Sequence, residues 1–181
     1  HDAYFEGCDR GIRFKSERGR GNSIKNIYIR DIQMKDLNNS AINFNAYYHE
    51  DARGAAPLFK NINIHNIKID GVPNAIIING LPEKWLEDVT FRNIEVKNAV
   101  KGARIYRVKN LALENVEISS EERAMEVTDV FELNIKNLTL DNRVNKTPFL
   151  LEGKYTGAVY IEGYSADNIE LGDDLPEDVM K

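Results

Sequence analysis

Arg13 and Lys15 stand two residues apart in Gly11-Ile12-Arg13-Phe14-Lys15-Ser16, a spacing that carries chemistry if the stretch is a β-strand. Side chains of a strand alternate between its faces. Both cations then share the outer face, while Ile12 and Phe14 point inward. A guanidinium offers a planar fork that fits a carboxylate, and an ammonium beside it adds a mobile point charge. Two such groups on a rigid strand make a docking place for an anion. The bland alternative is a pair of solvated surface cations, and the rest of the chain has to decide between them.

The elements that must position this pair recur along the sequence. A pattern of apolar-x-apolar, one polar residue, Asn or Asp, then apolar-x-apolar begins at Ile27 and returns at Ile62, Val89, Leu111 and Leu133. The offsets of 35, 27, 22 and 22 residues converge on a fixed period, with the surplus falling in loops. A weaker copy, from Val159 to Leu171, closes the series. After each copy comes a third short strand: Ile42-Asn43-Phe44, Ile76-Ile77-Ile78, Ala103-Arg104-Ile105, Met125-Glu126-Val127 and Phe149-Leu150-Leu151. Ile12-Arg13-Phe14 is the earliest member of that set.

Three strands per turn, each too short to bury a face alone, require stacking of successive turns. Asp31, Asn66, Asn93, Asn115 and Asn137 fall at the corner between the first two strands, where Asn tolerates left-handed backbone and can bond its neighbours along a column. The expected fold is all-β, a right-handed parallel β-helix of about six coils, the handedness following from the crossover rule. A leucine-rich solenoid has a similar period but carries one strand per unit. Here two alternating runs flank each corner. Residues 1–181 read as one β-helix domain with a polar tail over 172–181.

Composition narrows the function. The chain has 181 residues, a net charge of −5, 42% hydrophobic and 29% charged residues. This is ordinary for a globular domain, and it argues against nucleic acid as a partner. No apolar run reaches the length of a membrane helix. The single Cys8 excludes an internal disulfide. No cluster has metal-ligand spacing and no phosphate loop or nucleophile elbow occurs, so neither metal nor cofactor is expected.

Cys8-Asp9-Arg10-Gly11-Ile12-Arg13-Phe14-Lys15-Ser16, with the Gly19-Arg20-Gly21 loop behind it, resembles the Arg-Ile-Lys region of the family-28 glycoside hydrolases, the polygalacturonases, and is most similar to versions from gut Bacteroidetes. The likeness runs through the Asn-cornered coils to Leu171-Gly172-Asp173-Asp174-Leu175-Pro176, and Phe14 replaces the usual inward Ile. It implies inverting hydrolysis of α-linked galacturonate in pectin by a secreted or periplasmic enzyme, although no signal peptide is visible at His1. It also implies that Arg13 and Lys15 hold the substrate carboxylate next to the cut, and that Tyr48, with Tyr47 as fallback, stacks on a sugar beside them.

The family's catalytic aspartates lie in an Asn-Thr-Asp motif and an Asp-Asp pair, supported by a Gly-His-Gly histidine, all on coils ahead of Arg-x-Lys. An inverting glycosidase needs one acid and one base carboxyl with room for water. None of those motifs occurs here, so no residue is assigned a catalytic role, and the carboxylates are expected upstream of His1 in a longer enzyme. A chain that starts mid-solenoid is expected to self-associate through an uncapped end near Tyr4, Phe5 and Ile12. Asp173-Asp174 reads as a solvated tail cluster and Asp9 as a turn residue, while Asp51 lacks a partner carboxylate. His65 reads as a surface residue, His49 as a residue within reach of the cleft, Arg18 and Arg20 as extensions of the anion site, and Trp85 as loop packing. Two rivals remain: a noncatalytic β-helix that binds acidic polysaccharide, and a pectate-lyase-like enzyme of the same fold, which would need an acidic calcium cluster beside an outward Arg.

Overall fold

Single left-handed residues, five apart, turn the alternating segments around corners. Asn26, Asp31 and Asp36 have φ of 57°, 57° and 50°, Asn61, Asn66 and Gly71 of 56°, 57° and 76°, and Asp88, Asn93 and Asn98 of 55°, 52° and 51°. Asn, Asp and Gly are the residues for which this backbone costs least. The four residues between two such corners are extended, so each coil bends without losing its strand register.

The computed structural model describes residues 1–49, 51–144 and 147–180. Its strands are β1 (Ala3–Glu6), β2 (Arg10–Lys15), β3 (Ser23–Lys35), β4 (Ser40–Asn45), β5 (Leu58–Asn79), β6 (Leu86–Ser120), β7 (Met125–Asn142), β8 (Phe149–Glu152), β9 (Gly157–Glu162) and β10 (Ile169–Leu171). All their pairings are parallel, and successive coils stack in register. The long strands β3, β5, β6 and β7 run around corners, so one strand contributes to more than one face. Three faces result. Ile27 lies on Ile62 and Ile62 on Val89, Ile32 on Ile67 and Ile67 on Ile94, and Ile42 on Ile76, Ala103, Met125 and Phe149 in turn. This is a right-handed parallel β-helix, the sense that parallel crossovers adopt.

Inward residues form one continuous core from Ile12 to Val179. Ile62, Ile64, Phe44, Phe91 and Phe149 are fully buried. Phe14 stacks on Phe44 with ring centroids 5.0 Å apart and planes 12° apart, and Phe44 meets Phe59 edge-on at 6.4 Å. Each rung therefore buries its apolar face only against the rungs above and below it, which is why no coil is stable alone.

The expected corner column is present. Asn66 Nδ2 donates to Asp31 Oδ1 at 2.8 Å, Asn93 to Asn66 at 2.9 Å, Asn115 to Asn93 at 3.0 Å and Asn137 to Asn115 at 3.0 Å. A second column, not anticipated from the sequence, stands five residues upstream at Asn26, Asn61, Asp88, Asn110, Glu132 and Ala158. Asn61 Nδ2 reaches Asn26 Oδ1 at 2.8 Å, and Asn110 reaches Asp88 at 3.0 Å.

The last coil differs from expectation. Its corner is Gly163, at φ 74°, with no Asn or Asp to extend the column; a Cβ there would fall 2.6 Å from Asn137 Oδ1. Ile169 to Leu171 stack on Phe149 to Leu151 as a third-face strand. Residues after Gly172 fold back over this coil, with Val179 buried and Val159 N donating to Val179 O at 3.0 Å. Asp174 is not merely solvated: its Oδ1 accepts the Gly153 amide at 2.8 Å.

Candidate functional site

β2 places the basic pair as its alternation requires. Ile12 is buried and Phe14 half-buried, while Arg13 and Lys15 are exposed. Their register partners on the next rung are Asn43 and Asn45. Gly11 lets the strand enter at this depth, because a Cβ would lie 2.5 Å from Met34 Sδ and 2.7 Å from the Ala41 carbonyl.

Two loops stand beside the pair, residues 16–22 after β2 and, among the described residues, 46–49 and 51–57 after β4. They are laced by backbone bonds: Ser16 N to Asn45 O at 2.9 Å, Tyr48 N to Ser16 O at 3.2 Å, and Gly19 N to Ala55 O at 3.0 Å. The Tyr47 amide donates to Asn45 Oδ1 at 2.8 Å and fixes the turn that presents Tyr48. The Tyr48 ring then sits among cations. Lys15 Nζ is 4.0 Å, Arg13 Cζ 5.5 Å and Arg20 Cζ 5.8 Å from its centroid, all within cation–π range. Lys15 foremost, and then Arg13, hold the Tyr48 phenol below its ordinary value by favouring the phenolate.

Around this centre Glu17, Arg18, Arg20 and His49 are paired. Glu17 takes Arg20 Nε at 2.7 Å and, through its other oxygen, the His49 ring. Burial pushes the Glu17 carboxyl up, but the bonds from His49 and Arg20 outweigh it and leave it below the usual carboxylate range. Arg18 forms a two-pronged bridge to Glu83, at 2.5 and 2.9 Å, and lies 5.2 Å from the Tyr47 ring centroid. Among the described residues, neither Arg13 nor Lys15 has a carboxylate within ion-pair distance. The two face a phenol and the solvent. Positive charge held apart by an aromatic ring, on a rigid strand, suits an incoming carboxylate that also has an apolar face to stack.

Arg13, Lys15 and Tyr48 are thus brought together, with Arg20 beside them. Asp9 lies outside this cluster, bonded to Arg10, and Asp51 is an exposed loop residue. His65 is half-buried on the first face, in register with Arg30 and Arg92. The tie between Glu17 and His49 and the bridge between Arg18 and Glu83 were not read from the sequence. Each joins loops 32 or 65 residues apart, and no periodicity connects them.

With this geometry in view, comparison with known proteins is informative. The chain is similar to a polygalacturonase. A curated "Probable polygalacturonase" from Vitis vinifera is 27% identical over 100 residues, an alignment covering 52% of this chain and 20% of that protein. The chain therefore matches about a fifth of the relative's length. No family model matches, and no solved structure matches significantly.

Proposed function

We propose that this β-helix binds the carboxylates of galacturonan within a pectin-degrading glycoside hydrolase, with Arg13 and Lys15 gripping one uronate and Tyr48 stacking on the sugar. One observation carries the proposal: Arg13 and Lys15 from the outer face of β2, with Arg20 from the loop behind it, converge on the Tyr48 ring at 4.0 to 5.8 Å. The polygalacturonase likeness supports the same substrate class.

Binding rather than turnover is the role these residues suit. The carboxylate inside the cluster, Glu17, is occupied by Arg20 and His49, whereas inverting hydrolysis needs a free acid and a free base facing across a water. Titration calorimetry with trigalacturonate tests the assignment. Binding weakened tenfold or more by Arg13→Ala is expected, as for loss of a charge-assisted hydrogen bond, together with weakening at high salt and no new reducing ends on polygalacturonate. Equal affinity of Arg13→Ala, Lys15→Ala and the unaltered chain would refute it.

A further inference from the structure

Trp85, Phe131 and Tyr155 wall a second groove of about 350 Å³, whose other lining residues are Glu87 and Lys109. Phe131 and Tyr155 are 44% and 57% exposed, in a protein whose core already buries Phe44, Phe59, Phe91 and Phe149. Phe131 is not a core residue displaced by a slip. Val130 before it is buried, and the left-handed Glu132 follows it, so the register itself turns the ring outward. Its partner on the next rung is Gly157, where a Cβ would meet the Phe131 ring at 3.4 Å, so no side chain covers the ring from that rung. Trp85 and Tyr155 meet at 6.2 Å with planes 65° apart. Trp85 is held by its indole N–H, which donates to Pro82 O at 3.2 Å.

Charge selects the occupant. Glu87 is neutralised by Lys60 at 3.0 Å and Lys84 at 3.9 Å. Lys109 has no ion pair among the described residues, and Lys154 Nζ lies 4.9 Å from the Tyr155 ring centroid. Aromatic walls with a cationic edge fit a molecule with a C–H face and an anionic rim, which describes a uronic acid ring. The groove opens at the corner between the third face and the first, on the side where the loops of the first site leave the solenoid, with Lys109 and Phe131 on later rungs. Along the third face, Lys15 stacks on Asn45 and Asn45 on Asn79, so the loop carrying Trp85 starts two rungs from Lys15, about 10 Å at the ~4.8 Å strand spacing. Glu83 of that loop is the residue clasped by Arg18, which fixes one site relative to the other. Between them the outer face offers polar Asn45, Asn79 and Tyr106.

We infer that Trp85, Phe131 and Tyr155, with Lys109 on the rim, form a second uronate subsite that takes a later residue of the same polyanionic chain bound at Arg13 and Lys15. The inference rests on the galacturonan reading. Trp85 is the single tryptophan, so its fluorescence reports occupancy of this groove alone. An octagalacturonate is expected to shift Trp85 emission with the same midpoint that calorimetry gives, and trigalacturonate to bind with little shift. Tyr155→Ala and Phe131→Ala are each expected to lower octamer affinity about 3- to 10-fold and to leave trimer affinity unchanged. Calorimetric octamer binding without an emission change, or an equal shift with uncharged galacto-oligomers, would overturn the subsite while leaving the Arg13 site standing. Emission that moves with protein concentration and not with sugar would assign the groove to a second copy of the chain and overturn it. Absence of all galacturonate binding would overturn both readings.

Discussion

The two kinds of corner in this solenoid obey different rules. At the corner of Asp31, Asn66, Asn93, Asn115 and Asn137, one residue makes the turn on every coil, and each side chain bonds its counterpart one rung away. The partners lie 35, 27, 22 and 22 residues apart in sequence, yet the turn never lengthens. At the corner after the third face the opposite holds. Residues 16–22, 46–57 and 80–85 leave the frame there, the next two coils turn on the single residues Arg107 and Asp129, and residues 153–156 leave it again. A ladder of side-chain bonds fixes the length of its corner, because an inserted residue would remove one rung from the column. Insertion is tolerated where no ladder runs, and the candidate chemistry collects there.

The sharpest way to break this contrast is Asn115→Val. Valine is β-branched and would have to adopt φ near 52°, while the bonds to Asn93 and Asn137 are lost. A destabilisation of about 2–3 kcal/mol is expected in chemical denaturation. Asn115→Gly, which keeps the conformation and loses only the bonds, should cost about 1 kcal/mol; equal losses would mean that backbone geometry does not set this corner. Next in size is Gly19→Val at the loop corner. A Cβ at Gly19 would fall 2.4 Å from Arg53 O, so the two loops must part. Trigalacturonate affinity should drop about tenfold, with the denaturation midpoint nearly unmoved because the core is untouched.

Two smaller effects come from ionisation. Tyr48 should deprotonate before Tyr4 and Tyr164 in an ultraviolet pH titration, since its phenol is held below the ordinary 10.0 and theirs are raised. Lys15→Ala should abolish that early step, and an unchanged curve would remove Lys15 from the ring. The smallest effect concerns the tie between Glu17 and His49. The folded pKa of Glu17 lies below its ordinary value of 4.5, so its contribution is fully present at neutral pH and is lost as pH falls through the folded value. Protease cutting within residues 46–57 should therefore rise only below pH 4.5, and Glu17→Gln should bring that cutting to neutral pH.

Much of the scaffold was legible because it repeats. Two-residue alternation identified the inward set and the outward face of Arg13 and Lys15, and Asn at fixed offsets marked one corner column. The second column is harder to see, although Asn26, Asn61, Asp88 and Asn110 carry the same residue types, because it stands one residue ahead of the alternating unit. The last coil was misplaced because Gly163 turns the corner with no side chain to complete the pattern. At the site, Tyr48 was found through family likeness. The ties of Glu17 and Glu83 are not legible there, since contacts between loops of different coils leave no trace in a periodic signal.

The rung-by-rung stacking also bears on how the chain reaches this form. Each rung bonds only to its neighbours, so order spreads from any pair of stacked coils toward both ends, and the ends fray first. Amide hydrogen exchange should then be slowest near Phe91 to Leu113, where coils pair above and below. The strand that presents Arg13 and Lys15 pairs with β4, so an occupant that also touches Asn43 and Asn45 would tie β2 to the coil behind it.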